Sequence, residues 1–231
     1  LYKGFAAKLY NIPEADVSKA QRQVGKVAHL GLGFGAGAAT FQKVAKLMGG
    51  VDLDLPESEK ITYRWRDEYP EIVQGWKICH ATLPGIAAGD KYEVDPWGLV
   101  TTTQNALVLP SGRHIRYPAL HIEEGEKRRD EWWYGTGRNR ARIYAGKIDE
   151  NIVQALARDI IAENAFAVYK ELNGLRPSLA VHDELVYVVP EDTAQHVLDT
   201  VQRIMRTPPV WWPQLITWSE GDIADTYGDA K

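Results

Sequence analysis

Apolar residues recur at helical spacing from the start of the chain, where Leu1, Phe5, Ala6 and Leu9 share one face with no polar lead-in and no capping residue before them. Such an opening reads as a segment cut from something longer. After Pro13, Ser18 and Gln21 have the spacing of a capping box and predict a helix over about 18–30, with Gly25 inside it at a cost of about 1 kcal/mol relative to Ala. The stretch GLGFGAGAATFQKVAKLMGG follows, a glycine-rich joint and then a second helix that ends at Gly49 and Gly50. Further helices are expected over 58–68 and 70–82, with Tyr63, Trp65, Ile72, Val73 and Trp76 as their buried face. From Tyr92 to Ile122 the pattern changes to β-branched and aromatic residues broken by Gly and Pro, which predicts strands and turns.

The clearest helical pattern runs over 149–172, from an Asp149 cap to a stop at Gly174, with Ile152, Val153, Leu156, Ile160, Ile161, Val168 and Leu172 on one side. Gln154 and Arg158 fall on the opposite side. Next comes SLAVHDELVYVVP, then a helix over about 192–205 and a tail rich in Pro and Trp. The second half thus reads helix, strand, strand, helix, and the whole chain as α+β, with an antiparallel sheet backed by helices.

The segment SLAVHDELVYVVP poses a chemical problem. As one strand it would be twice the usual length and would bury Asp183 and Glu184 at several kcal/mol for each unpaired ion. As a hairpin, SLAV and LVYVV are two short strands, and His182, Asp183 and Glu184 form the bend at a sheet edge. Adjacent carboxylates repel, and a divalent metal removes the conflict. Mg²⁺ suits such a pair, because it is usually held by one or two carboxylates together with substrate phosphates.

Composition narrows the classes. With 231 residues, 45% of them hydrophobic, the chain buries a core without staples, and its net charge of −4 excludes indiscriminate coating of nucleic acid. The single Cys79 forms no intrachain disulfide and fits a reducing, cytoplasmic compartment. No apolar run approaches the roughly 18 residues that a membrane span needs. On the first capped helix Arg22, Lys26 and Leu30 fall four apart, and two cations in line with an apolar surface suit a nucleoside triphosphate. The run Gly33 to Ala38, GFGAGA, competes with this reading: it matches the relaxed dinucleotide-binding pattern, with Asp52 at the distance of a ribose-binding acid. An NAD(P)-dependent oxidoreductase is therefore the alternative, and it requires a strand before the glycines.

The segments RQVGKVAHLGLGFGAGA and VHDELV resemble motifs B and C of family A DNA polymerases, in the family's order, and ENIVQALARDII is similar to the palm helix that precedes motif C. The tail YGDAK resembles phage members. The resemblance implies a fingers subdomain over 1–117 and the C-terminal part of the palm over 118–231. It implies that Asp183 binds catalytic Mg²⁺ with Glu184 beside it, that His182 touches the primer end, and that Arg22 and Lys26 hold the incoming deoxynucleoside triphosphate. Gln154 would contact primer-template DNA in the minor groove. Phe34 stands where the family usually has Tyr, and Leu30 where it most often has Phe or Tyr, so the ring that stacks on the nucleotide is absent.

The family's motif A, roughly Asp-Tyr-Ser-x-x-Glu-x-Arg, which supplies the second metal-binding aspartate, is not found in these residues. The expectation is a longer chain or a second polypeptide that supplies motif A and the thumb, and poor polymerisation by this segment alone. Lys127 to Lys147, with Trp132, Trp133 and Tyr134 among arginines, reads equally as a DNA contact or as a structural cluster. A non-catalytic DNA-binding module is the remaining possibility.

Overall fold

The computed structural model describes residues 1–125 and 130–230. They divide into two compact units, one of residues 1–94, 102–107 and 116–151, the other of residues 95–101, 108–115 and 152–230.

In the first unit, helix α1 (Tyr2–Tyr10) lies against α2 (Lys19–Leu32). The capping box holds: Gln21 N donates to Ser18 Oγ at 3.2 Å and Ser18 N to Gln21 Oε1 at 3.0 Å. Gly25 also has a reason beyond propensity. A Cβ there would lie 2.2 Å from the Tyr2 carbonyl oxygen, so the α1–α2 approach admits no side chain.

The glycine joint leads to α3 (Ala38–Gly49), closed by Gly50 in the left-handed region at φ 62°. Helix α4 (Leu55–Glu68) begins three residues before the predicted start, because Asp54 and Glu57 form a second capping box. Helix α5 (Pro70–Ala88) runs past the predicted end at 82 and through Pro84, stopping at Gly89. The proline removes one backbone donor, and Thr82 Oγ1 donates to the Cys79 carbonyl at 2.8 Å in the preceding turn. The core is Phe5, Val27, Leu32, Phe41, Trp65 and Trp76 with their neighbours. Trp65 and Trp76 stack with centroids 6.0 Å apart. Two residues assigned to the buried face are exposed, Tyr63 at 76% and Ile72 at 37%.

The predicted β region forms two small sheets. Strands β1 (Thr101–Thr103), β2 (Ala106–Val108) and β3 (His114–Arg116) form one. Strands β4 (His121–Glu124), β5 (Asp130–Tyr134) and β6 (Ala141–Ile143) form an antiparallel meander, with Trp132 opposite Ile122 and Ile143.

Helix α6 (Ala145–Glu171) starts one turn earlier than the sequence indicates. Asp149 is therefore an interior helix residue and not a cap. Gly146 explains the early start, since a Cβ there would meet the Phe34 carbonyl oxygen at 1.9 Å: only glycine lets the helix begin beneath the joint.

In the second unit, α6 continues to Glu171, the strands β7 (Leu179–Val181) and β8 (Glu184–Val186) pair antiparallel, and α7 (Glu191–Met205) follows. Val168, Val197, Val201 and Ile204 form its buried core, with Leu172, Leu175, Tyr187 and Val189 against them. Val153, expected on the buried side of α6, is 48% exposed.

Candidate nucleotide and metal site

The acidic segment is a hairpin with a tighter bend than expected. Val181 pairs with Glu184, so the turn is His182 and Asp183 alone and Glu184 is the first residue of β8. His182 takes the left-handed conformation at φ 54°, the geometry that a two-residue hairpin turn demands, in a position where Asn or Gly is usual. Alternation along the strand separates the two acids. Asp183 is exposed and has no hydrogen bond or ion pair among the described residues, whereas half-buried Glu184 accepts a hydrogen bond from Tyr227 Oη at 2.6 Å. Among the described residues there is no group of three or more His, Cys, Asp or Glu side chains that could hold a metal ion. The donor set is thus two hard carboxylates, which fits an ion that takes its remaining ligands from phosphates and water. Among the described residues strands β7 and β8 pair only with each other, and Leu179 and Val181 are exposed at 48% and 39%.

On α2, Arg22 and Leu30 are exposed and Lys26 is half-buried, with no acidic partner for either cation among the described residues. The Arg22 guanidinium lies 5.7 Å from the centroid of the Tyr2 ring. His29, seven residues on from Arg22 and three from Lys26, stands close to the same face of the helix, and the sequence pattern gives it no role. Its ring meets Tyr2 and Tyr69 edge to face at 5.8 and 5.0 Å, and Trp65 Nε1 donates to its Nδ1 at 3.2 Å. Burial lowers the His29 pKa, which keeps that nitrogen an acceptor.

Phe34 lies beyond the end of α2, in a joint held by Trp76 Nε1 to the Gly33 carbonyl at 3.1 Å and by Arg66 to the Ala36 carbonyl at 3.1 Å. This geometry corrects the dinucleotide reading: Gly33 to Ala38 follow a helix and not a strand, and Asp52 pairs with Lys46 at 3.2 Å.

On α6, burial raises the pKa of the Asp149 carboxyl. A raised carboxyl pKa favours the fold most below the ordinary carboxylate range, and the contribution is lost as pH rises through the folded-state value. Asp149→Asn is therefore expected to gain on the parent protein in thermal midpoint as pH rises from about 4 to about 7. A gap that is constant or shrinks over that range contradicts the assignment. Cys79, whose thiol burial pushes up to about 12, is inert at neutral pH.

The basic aromatic segment is largely self-satisfied where it is described. Arg140 stacks 4.1 Å from the centroid of Trp133 and pairs with Glu123, and Arg142 pairs with Glu131 at 3.0 Å. Lys127, Arg128 and Arg129 lie outside the described residues. Gln154 and Arg158 are exposed on α6, as their spacing indicates.

No family model matches the sequence. A DNA polymerase of Bacillus phage SP02 is 31% identical over a 245-residue alignment that covers 98% of this chain and 36% of the phage protein. The likeness supports a fragment of a family A DNA polymerase. DNA polymerase I of Pseudomonas aeruginosa is 26% identical over 209 residues, 89% of this chain and 19% of that protein. The POL domain of Pol1 from M. smegmatis, solved with DNA primer-template and dNTP, matches the fold with a TM-score of 0.62 at 17% identity, over 95% of this chain and 32% of that one. The chain thus spans 36% or less of the length of each of these relatives. Among the described residues no helix is long and apolar enough to cross a membrane.

Proposed function

We propose that this chain supplies the fingers, residues 1–117, and the C-terminal part of the palm, residues 118–231, of a polymerase that transfers a deoxynucleotide to a primer 3′-hydroxyl under the direction of a template. The observation that carries the proposal is Asp183, without a partner among the described residues, in a two-residue hairpin turn. A phage DNA polymerase among the relatives and an Arg22–Lys26 stripe without acidic partners among the described residues support it.

Asp183, with Glu184 beside it, would hold Mg²⁺. When bound, a pair of such ions supplies activation of the attacking hydroxyl and neutralisation of the leaving pyrophosphate. Arg22 and Lys26 bind the triphosphate, and Leu30 and Phe34 offer apolar surface to its base and sugar. His182 touches the primer end, and Gln154 reads the duplex minor groove beside it. The second aspartate and the thumb come from a longer polypeptide or a second one. The exposed apolar β7 supports this, because a lone two-stranded hairpin is marginal and an open edge accepts a further strand. We place the enzyme in the cytoplasm, that of the host if it is phage-encoded.

In primer extension by the complete polymerase that carries this sequence, Asp183→Asn is expected to lower the rate by roughly a thousandfold or more. Extension within a few-fold of the parent protein would overturn the assignment. Primer-template binding that ignores both nucleotide and magnesium would favour a non-catalytic DNA-binding module instead.

A further inference from the structure

Asp159 lies on α6 and is 4% exposed, and the proposed chemistry gives it no part. Both of its oxygens are taken by one tight turn between β2 and β3. Ser111 Oγ donates to Oδ2 at 2.6 Å, while Arg113 donates to Oδ1 through Nε at 2.6 Å and Nη2 at 2.5 Å. The same Nη2 donates to the Ala155 carbonyl at 3.2 Å. The turn is built to stay rigid. Pro110 follows Leu109, Gly112 takes φ +79°, and Gly112 N and Leu109 N close it on the Leu109 and Arg113 carbonyls, each at 2.9 Å. All of these contacts lie within the second unit.

The consequence concerns where α6 points its polar face. An apolar stripe fixes which side of a helix is buried but resists small rotations and slips weakly, because dispersion contacts are non-directional. A planar guanidinium fork on a buried carboxylate is directional. Its grip falls on residues 155 and 159, and Gln154 immediately precedes the first of them. On the other side of Gln154, Asn151 Nδ2 donates to Tyr117 Oη at 3.0 Å.

We infer that the Ser111–Arg113–Asp159 clamp sets the azimuth and register of α6, which makes Arg113 and Asp159 positioning residues for Gln154 at the primer terminus. The inference rests on the proposed reading of Gln154 as a minor-groove contact and adds the device that aims it. A clamp of this kind would act on discrimination more than on overall affinity, because a misaimed amide still lies against the duplex but no longer distinguishes a paired from an unpaired terminus.

The test uses the complete protein and two DNA duplexes that differ only in a matched or mismatched primer terminus. Arg113→Lys keeps the charge and loses the fork. It is expected to lower the ratio of matched to mismatched binding by roughly threefold to tenfold, as Gln154→Ala does, and the double variant is expected to lose no more than either single one. Amide exchange across 155–160 should rise in Arg113→Lys without DNA. Unchanged exchange overturns the clamp. Raised exchange with an unchanged ratio, or losses that add, overturns the positioning role. A ratio that Gln154→Ala leaves intact would refute the minor-groove reading and the positioning role with it, while the exchange result still decides the clamp. Asp159→Asn, which keeps the shape and one acceptor, gives the same pattern if Arg113→Lys folds poorly.

Discussion

Replacing Gly146 with Ala is expected to destabilise the first unit by about 2 kcal/mol or more, although alanine is the better helix former by about 1 kcal/mol. The new Cβ would meet Phe34 O at 1.9 Å, Phe34 C at 2.5 Å and Gly35 N at 3.1 Å. All three are backbone atoms, so no rotamer change relieves the overlap. Either α6 moves away at its first turn or the joint after α2 does, and the second movement carries Phe34 with it. Nucleotide affinity should therefore fall along with stability. Gly75, inside α5, is the control: no atom lies within 4 Å of its Cβ position, and alanine there should be neutral or stabilising by up to about 1 kcal/mol. Thermal denaturation of the two variants separates the explanations. A large drop in Gly146→Ala beside an unchanged or slightly raised midpoint in Gly75→Ala supports the close approach, and a stable Gly146→Ala with an unmoved Phe34 contradicts it.

Arg113→Met is expected to cost the second unit about 1–3 kcal/mol, the range for leaving a buried acceptor without its partner, because Asp159 is 4% exposed while Arg113 is 53% exposed. Asp159 would keep only the Ser111 hydroxyl on Oδ2 and have Oδ1 without the Arg113 donor. The loss comes mostly from the stranded carboxylate and not from the value of the pair itself. Combining Arg113→Met with Asp159→Leu should therefore recover much of it. Chemical denaturation reads both. A loss under about 1 kcal/mol in the single variant would mean that water reaches Asp159 and that the clamp contributes little.

Local signals carried most of the fold. The Ser18–Gln21 box and the Gly50 stop are short-range features whose chemistry is complete within a few residues, and they stand where expected; the hairpin does too, except that its second strand takes in Glu184 and ends at Val186. Asp54 and Glu57 were equally legible and were passed over in favour of the apolar run that follows. Asp149 misled for the converse reason. An acid just before an apolar stripe has the pattern of a cap, yet Gly146 lets the helix start earlier and leaves the carboxyl half-buried inside it.

The site was legible where adjacency carries the chemistry and illegible where distant residues meet. The acidic pair and the Arg22–Lys26 stripe are visible as text. The division of labour between the two acids is not, because it depends on a two-residue turn and on Tyr227, 43 residues away. Nor could spacing foretell that His29 would be ringed by Tyr2, Trp65 and Tyr69, or that Arg113 would clamp a helix 46 residues on. Gly25 looks like a flaw in its helix, and Gly146 like part of a connection, until the carbonyls that face them are known.

The most direct test of nucleotide transfer is magnesium-dependent binding of a deoxynucleoside triphosphate to the complete polymerase on primer-template, in a cycle of Lys26→Met, Asp183→Asn and the double variant. If the α2 cations and the hairpin acid act on one triphosphate, each single change weakens binding by roughly tenfold or more and the double falls well short of the product. Losses that multiply, or an Asp183→Asn protein that still binds nucleotide in a magnesium-dependent way, would contradict the account.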